Sequence, residues 1–208
     1  HLESFEGVRP LAIIVPSEYQ KRLVSILIDG IPIHKIYNGI ETSYYRPLSR
    51  QEIHYHREPF LPKGKKVVGW IGRLDKRKNW QMLVEIAREV KRIRGDIEFW
   101  VVGGAQSIQR DEFARTWSEE GLQDIIRWFP VIPYQEMPHV YAKIRESKGV
   151  TLATTKTESF GNTFIESMVC GVPVVAPNMM PMSEIIKDGK TGLLYTQGKK
   201  EDCLMKIF

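Results

Sequence analysis

The sequence has few cysteines, no long apolar run and no internal repeats. Its 208 residues include only two cysteines, Cys170 and Cys203, which form neither a disulfide framework nor a metal-binding spacing. No apolar stretch approaches the roughly 20 residues of a membrane-spanning helix, and no signal peptide is visible. From these absences we expect a protein of the reducing cytosol that is not held together by disulfides or metal.

The composition is that of a moderately basic globular protein. Hydrophobic residues make up 42% of the chain and charged residues 26%, which suits one or two domains with a genuine core. The net charge of +5 suits anionic nucleotides, acidic membrane surfaces and nucleic acid, and it does not discriminate among them.

Helical and strand patterns alternate from residue 66 to the last residue. This alternation predicts an α/β fold, a Rossmann-like, mostly parallel sheet with helices on both faces. The predicted strands are 66–71, 97–102, 125–129, 149–154 and 172–176, and residues 189–194 are predicted to form a turn into a last strand. The predicted helices are 79–94, 108–120, 134–147 and 162–170, and residues 204–208 lie in another.

A shorter α/β unit precedes this region. A strand at 11–15 leads into a helix from 18 to about 29, for which Ser17 supplies the cap, and a second strand follows at 35–37. Residues 44–66 are rich in proline, histidine and charge, and we interpret them as an irregular linker.

Two histidines, His54 and His56, lie in that linker. No cysteine or carboxylate cluster completes a site around them, so a solvated pair is favoured over a metal site.

Two glutamates eight residues apart, Glu158 and Glu166, lie around the start of the predicted helix at 162–170. The preceding strand places them at the carboxyl edge of the sheet, where open α/β folds bind ligands. The free N–H groups of the helix suit a phosphate, and a carboxylate can accept hydrogen bonds from the vicinal hydroxyls of a ribose. Alternatively, the two glutamates only complement the helix dipole on a solvated face.

A basic loop follows the strand at 66–71. Arg73 and Lys78 are five residues apart, one at the strand exit and one at the next helix, so both can reach a diphosphate in the crevice. The alternative is an ordinary basic loop on a basic protein, which is our interpretation for Lys76 and Arg77.

The spacing Glu158, seven residues, Glu166, followed by Cys170-Gly171-Val172-Pro173, resembles the E-x7-E signature of retaining glycosyltransferases of family 4 (glycosyl transferases group 1). Gly72-Arg73 and Lys78-Asn79 resemble the same family's basic motif. The resemblance implies the C-terminal half of a GT-B fold. Residues 66–208 would be the donor-binding domain, 48–65 a linker, and 1–47 the end of the N-terminal acceptor domain and the crossing.

The resemblance also implies which residues hold a nucleotide-diphosphate sugar. Glu158 contacts the transferred sugar, Glu166 holds the ribose, and Arg73 and Lys78 stabilise the leaving diphosphate in place of a metal. Glu184 matches the glutamate after a turn that helps hold sugar or phosphate. The implied catalytic set is Arg73, Lys78 and Glu158. The implied binding set is Gly72, Arg73, Lys78, Glu158, Ser159, Phe160, Gly161, Asn162, Thr163 and Glu166.

The implied activity is transfer of a hexose from a UDP- or GDP-type donor with retention of anomeric configuration. No cofactor and no metal are implied. The acceptor is open among sugars, glycans, lipids and small molecules, and nucleic acid is not expected. We expect a cytoplasmic protein, with peripheral membrane contact as an open alternative. Both chain ends suggest a fragment, which we expect to bind nucleotide without catalysing transfer.

Two alternatives come from other classes, a sugar-nucleotide epimerase of the same fold and a non-catalytic basic binding module. The E-x7-E spacing argues against the first, and the second lacks aromatics interleaved on a basic face. No Gly-x-Gly-x-x-Gly follows the strand at 66–71, which disfavours a dinucleotide dehydrogenase.

Three further features each have two interpretations. Gly103-Gly104 either lets a nucleotide approach the backbone or makes a tight turn. Trp128 and Tyr134 could stack a base, but core packing is favoured. Residues 179–182 are rich in methionine, and core filling is favoured over contact with an acceptor or partner.

Overall fold

The computed structural model describes residues 10–55, 62 and 64–208, without the side chains of residues 54 and 55. The side chains of His54 and His56 therefore lie outside the described part of the structure. The elements in chain order are β1 (Ile13–Val15), α1 (Glu18–Leu27), β2 (Ile33–Lys35), α2 (Arg50–Tyr55), β3 (Lys66–Ile71), α3 (Trp80–Ile93), β4 (Ile97–Val102), α4 (Arg110–Glu119), β5 (Ile126–Phe129), α5 (Met137–Glu146), β6 (Val150–Leu152), α6 (Asn162–Val169), β7 (Val174–Pro177), α7 (Met182–Ile185), β8 (Gly192–Tyr195) and α8 (Lys200–Ile207).

Six strands form one parallel sheet in the order β5-β4-β3-β6-β7-β8. The chain therefore builds outward from β3 to β5, returns to the centre, and continues outward on the other side from β6. The strand order reverses between β3 and β6. This confirms the predicted α/β class and places the predicted site at the switch point, where such sheets form a ligand crevice.

Alternating residues of the central strands pack against helices on opposite faces of the sheet. Val68 and Phe99 belong to a cluster with residues of α3, α4 and α8, whereas Val67 and Trp100 belong to a cluster with residues of α5. The near-continuous burial of β3 and β4 reflects this two-sided cover. Packing on both faces thus holds β3 and β4 in place, and with them the carboxyl edge of the sheet from which the loops of the site extend.

The first unit of the chain is small and lightly packed. β1 and β2 pair in parallel, and α1 connects them without contributing a buried residue. Ser17 caps α1 as predicted, since its side-chain oxygen accepts a hydrogen bond from the Gln20 N–H at 3.1 Å. The helix is shorter than predicted and ends at Leu27.

The structure corrects the interpretation of residues 44–66 as irregular. This segment contains the six-residue helix α2 and two residues that are almost fully buried, Tyr45 and Ile53. Arg145 of α5 also donates a hydrogen bond to the carbonyl oxygen of Leu48 at 2.5 Å. The described residues 44–53 therefore pack on α5.

Several predicted element bounds were wrong by a few residues. The strand predicted at 35–37 corresponds to β2, which begins and ends two residues earlier, at Ile33 and Lys35. The helix predicted from 134 opens with a 3-10 turn, Tyr134–Glu136, before α5 begins. The strand predicted at 149–154 is reduced to β6, because Thr154 and Thr155 turn their hydroxyls toward the loop after β3. Of the helices in the described part of the chain, none has the length and apolarity to cross a membrane.

Candidate functional site

Two loops at the carboxyl edge of the sheet are tied to each other by hydrogen bonds. The hydroxyl of Thr154 lies 2.9 Å from the carbonyl oxygens of both Lys78 and Asn79, and the indole N–H of Trp70 donates to the same hydroxyl at 2.9 Å. The N–H of Lys156 donates to the carbonyl oxygen of Arg77 at 2.8 Å. The loop after β3 is therefore held in register with residues 155–161 after β6, called the signature loop below.

This register brings two cations onto the carboxylate of Glu158. Lys78 Nζ lies 2.6 Å from Oε2 and Arg77 Nη1 lies 2.8 Å from Oε1. The Glu158 side chain is only 9% exposed and that of Lys78 only 14%. Burial pushes the pKa of Glu158 upward, but the two cations outweigh it and hold the pKa below its ordinary value. Glu158 is therefore a buried carboxylate that stays ionised.

The predicted basic residues behave differently from one another. Arg73 is 70% exposed and its Nε lies 3.4 Å from Asp75, so it is not drawn into the Glu158 cluster. Lys76 is exposed, in line with its interpretation as a loop residue. Arg77, interpreted in the same way, instead contacts Glu158, and that interpretation was wrong. Its signal in the sequence was only its position beside Lys78.

Helix α6 begins at the end of the signature loop with its N-terminus uncapped by any described side chain. Gly161 is the N-cap and has φ 101° and ψ 55°, a left-handed conformation that glycine adopts without strain. Phe160 before it is buried, and the N–H of Phe164 is the first to bond back into the turn. The first amides of α6, at Asn162 and Thr163, are thus placed as anion donors.

Glu166 lies on α6 and is held by α5. The buried hydroxyl of Tyr141 lies 2.9 Å from Glu166 Oε2 and 3.2 Å from the carbonyl oxygen of Thr163. Burial raises the pKa of Glu166, and the hydrogen bond from Tyr141 opposes that shift. Burial first, and the neighbouring carboxylate second, raise the pKa of Tyr141, so its phenol stays a donor. The two glutamates of the signature thus sit in opposite electrostatic settings.

The outer part of the signature loop contacts the first unit of the chain. The Ser17 hydroxyl donates to the carbonyl oxygen of Ser159 at 2.9 Å, and the side chain of Asn38 donates to that of Asn162 at 2.9 Å. Glu184, which matches the glutamate that follows the family's turn, accepts hydrogen bonds from the Glu18 N–H, with both carboxylate oxygens at 3.0 Å. The sequence carried no signal for these contacts.

The structure agrees with the favoured interpretation for Trp128 but not for Tyr134, and it distinguishes the two interpretations of Gly103-Gly104. Gly103 and Gly104 both have positive φ, and a Cβ on Gly103 would lie 2.7 Å from the carbonyl oxygen of Gly72, which supports the tight-turn interpretation. Trp128 packs in the core against Phe113 with ring centroids 5.1 Å apart, as favoured. Tyr134 is 59% exposed, so its assignment to core packing was wrong.

The methionine-rich segment fills the core, as favoured. Met182 is fully buried, and Met179 packs against the same cluster under α6 and β7. Among the residues that the structure describes, no group of three histidine, cysteine or acidic side chains could hold a metal ion. Metal independence stays a prediction.

The sequence matches the family model described as glycosyl transferases group 1 over residues 51–207. The match covers most of the chain, which therefore belongs to this family. It includes both loops of the site described above.

Individual relatives agree with this assignment but are longer. A D-inositol 3-phosphate glycosyltransferase from Arthrobacter sp. (strain FB24) is 31% identical over 163 residues, covering 77% of this chain and 36% of its own length. A sucrose synthase from Denitrovibrio acetiphilus is 32% identical over 154 residues, covering 69% of this chain and 20% of its own length. The chain thus spans about a third or less of these curated relatives.

Among solved structures, the fold resembles that of HepE from Anabaena in complex with UDP and glucose. The TM-score is 0.76 at 22% sequence identity, over 95% of this chain and 52% of that one. This likeness supports the fold assignment, a GT-B glycosyltransferase architecture.

Proposed function

We propose that this chain is the donor-binding part of a retaining glycosyltransferase of family 4 that transfers a hexose from a nucleotide-diphosphate sugar. One observation carries the proposal. Lys78 holds Glu158 at the crevice, beside the uncapped N-terminus of the helix that bears Glu166. A cation, free amides and two carboxylates are the groups that a diphosphate, a sugar and a ribose require.

In this proposal the basic residues act on the diphosphate. Transfer breaks the bond between the anomeric carbon and a diphosphate oxygen, which leaves with the electron pair and gains negative charge. The ammonium of Lys78 has three donors, so it can contact that oxygen while it keeps its bond to Glu158. Arg73, whose side chain is exposed at the strand exit, adds a second cation. Stabilisation of developing charge is often the largest catalytic term, and here it replaces a metal ion.

The two glutamates have separate roles. Glu158 is ionised at neutral pH and accepts hydrogen bonds from hydroxyls of the transferred sugar, which positions the sugar against the acceptor. Glu166 accepts hydrogen bonds from the ribose. Tyr141 donates to its Oε2, and no described residue donates to its Oε1, so this oxygen is available to the nucleotide. Gly72 and the backbone of residues 159–163 line the space between sugar and phosphate.

UDP is the first donor nucleotide to test, because the similar HepE structure contains UDP. The acceptor domain is proposed to precede this chain, with residues 1–47 as its end and 48–65 as linker. A sugar, glycan, lipid or small molecule is the acceptor, and a cytoplasmic location with or without peripheral membrane contact stays a prediction from composition. The comparisons give no support to an epimerase or to a basic binding module.

Calorimetric titration of this chain with UDP, GDP, ADP and NAD, without metal, tests the proposal. We expect one nucleoside diphosphate to be preferred and its binding to be lost in Glu166→Ala. Glu119→Ala is the matched control, because Glu119 is an exposed acid at the end of α4, remote in sequence from both loops. Failure of all four to bind would overturn a donor site in this chain. Detectable sugar transfer by the chain alone would contradict its assignment as the donor half.

A further inference from the structure

Glu184 joins two parts of the chain that are 166 residues apart. Its carboxylate oxygens each lie 3.0 Å from the backbone nitrogen of Glu18, the first residue of α1. The hydroxyl of Tyr37 donates to Glu184 Oε1 at 2.9 Å, and Lys35 Nζ lies 3.5 Å from the same oxygen. The Glu184 side chain is only 10% exposed. We call these four residues the Glu184 clasp.

The clasp supplies a hydrogen-bond acceptor for a backbone N–H at the N-terminus of α1. An N-terminal N–H of a helix has no partner within the helix, and a carboxylate there is favoured by both hydrogen bonding and the helix dipole. A carboxylate accepts such bonds at up to four lone-pair sites, and here the donors are the Glu18 amide, the Tyr37 phenol and the Lys35 ammonium. Both carboxylate oxygens of Glu184 are therefore engaged by groups of the first unit.

The same end of α1 touches the signature loop. The buried hydroxyl of Ser17 donates to the Ser159 carbonyl oxygen at 2.9 Å, one residue from Glu158. The ring of Tyr37 stacks on that of Phe160, with centroids 5.7 Å apart and planes 29° apart. Two consecutive residues of the loop are thus held by residues that flank or form the clasp.

Helix α1 itself provides little anchorage. No residue of α1 is buried, and Ile26 and Leu27 at its far end are 79% and 76% exposed. Fixing the N-terminus of α1 therefore falls largely to Ser17 and to the clasp.

We infer that Glu184 is a positioning residue, which fixes the N-terminus of α1 and, through Ser17 and Tyr37, holds the signature loop that carries Glu158. The predicted effect on nucleotide binding rests on the proposed function. The effect on loop order does not, because it concerns the free protein alone.

Hydrogen–deuterium exchange of the free protein tests the inference with two substitutions. Glu184→Ala removes both carboxylate oxygens, which accept from Glu18 and Tyr37, whereas Glu184→Gln keeps one carbonyl oxygen for the Glu18 N–H or the Tyr37 hydroxyl. We expect Glu184→Ala to speed exchange of the amides of residues 159–163 and 18–21 by about tenfold, while the amides of β3 and β4 are unchanged. In Glu184→Gln, the increase in the logarithm of these exchange rates over wild type should be at most half of the increase in Glu184→Ala. Glu119→Ala, with the same loss of charge, should leave both segments unchanged.

UDP affinity measured on the same variants should fall in the order wild type, Glu184→Gln, Glu184→Ala. The inference is overturned if loop exchange in Glu184→Ala stays within twofold of wild type, or if Glu184→Gln matches Glu184→Ala. If Glu184→Ala does not fold, Tyr37→Phe replaces it, because it removes one donor and keeps the stacking on Phe160; unchanged loop exchange there then overturns the inference. If wild type binds no nucleotide, the proposed function fails while the exchange comparison still decides the role of Glu184.

Discussion

Lys78 Nζ lies 2.6 Å from Glu158 Oε2, and this pair joins the loops after the two central strands of the sheet. Lys78 precedes α3 and Glu158 precedes α6. Their contact therefore bridges the two loops at the point where the strand order reverses. Both side chains are mostly buried, and Arg77 occupies the other carboxylate oxygen at 2.8 Å. The pair thus places one charge of each sign where a nucleotide-diphosphate sugar is proposed to bind.

Neutralising Glu158 should destabilise the free protein in a pH-dependent manner. Glu158→Gln leaves Lys78 and Arg77 without their counter-charge, for which we expect a loss of about 1–3 kcal/mol in the free energy of unfolding at pH 7. The pKa of Glu158 is lower in the folded protein than its ordinary value of 4.5, so its stabilisation is fully present above about pH 4.5 and is lost as the pH falls through the folded pKa.

Urea denaturation of wild type and Glu158→Gln between pH 7 and pH 3 measures this difference. The two curves should converge as the pH falls. Glu119→Gln, which neutralises an exposed acid, should follow wild type throughout. A stability gap that persists unchanged at pH 3 would show that Glu158 does not stabilise the fold as an ionised group.

Nucleotide affinity should depend on the ionisation of Glu166. Its pKa is raised by burial, so the ribose-binding carboxylate is lost as the pH falls through that raised pKa, and UDP affinity should fall with it. Tyr141→Phe removes the hydrogen bond that opposes the shift. The fall should then begin at higher pH, and affinity at neutral pH should drop by roughly three- to tenfold.

Calorimetry with UDP at half-unit steps from pH 5 to pH 8 provides the profiles. Tyr19→Phe, which removes a phenol from α1 instead, is the matched control and should reproduce the wild-type profile. Superimposable profiles of wild type and Tyr141→Phe would mean that Tyr141 does not tune Glu166.

Lys78 should discriminate in favour of the diphosphate. Lys78→Ala removes a charge-assisted contact, so UDP affinity should fall by about 10- to 100-fold while uridine affinity changes little. Lys76→Ala removes an exposed lysine two residues away and should leave both affinities unchanged. Equal losses for UDP and uridine would indicate a general distortion of the crevice instead of a lost phosphate contact.

Gly161 should tolerate no side chain. Its φ is 101°, and a Cβ would lie 2.6 Å from Phe164 Cδ2 and 2.9 Å from Met182 Cε. Gly161→Ala should therefore cost about 1–3 kcal/mol in the free energy of unfolding and weaken UDP binding by displacing the start of α6. Gly95→Ala is the matched control, because nothing lies within 4 Å of the added Cβ and its φ is not positive. Equal stability of the two variants would contradict the strain at Gly161.

The sheet and the loops of the site could be predicted because their signals are local. Short β-branched runs alternating with amphipathic helices predict parallel strands, and the two glutamates at the start of a helix predict the crevice. Helix α2 was missed because it is only six residues long, lies between Pro47 and Pro59, and has one clear apolar anchor, Ile53. Short helices like this depend on tertiary packing rather than on propensity.

The contacts that could not be predicted are those between residues far apart in the sequence. Arg77 contacts Glu158 from a loop whose Arg77 carbonyl oxygen accepts hydrogen bonds from the Lys156 N–H and the Thr155 hydroxyl. Glu184 is engaged by Glu18 and Tyr37, which lie more than 140 residues earlier in the chain. No spacing rule within a helix or strand encodes such pairs, since they depend on how the first unit docks.

The most direct test of the central claim is to map where UDP binds on the free chain. Two-dimensional ¹H–¹⁵N spectra recorded during a UDP titration without metal should show saturable shifts of the amides of Ser159 to Thr163 and of Gly72 and Lys78. The amides at the C-terminal end of α4, where the Trp117 indole donates to the carbonyl oxygen of Ile126 at the start of β5, should not move. Shifts confined to other surfaces, or no saturable shifts, would contradict a donor site at the carboxyl ends of β3 and β6.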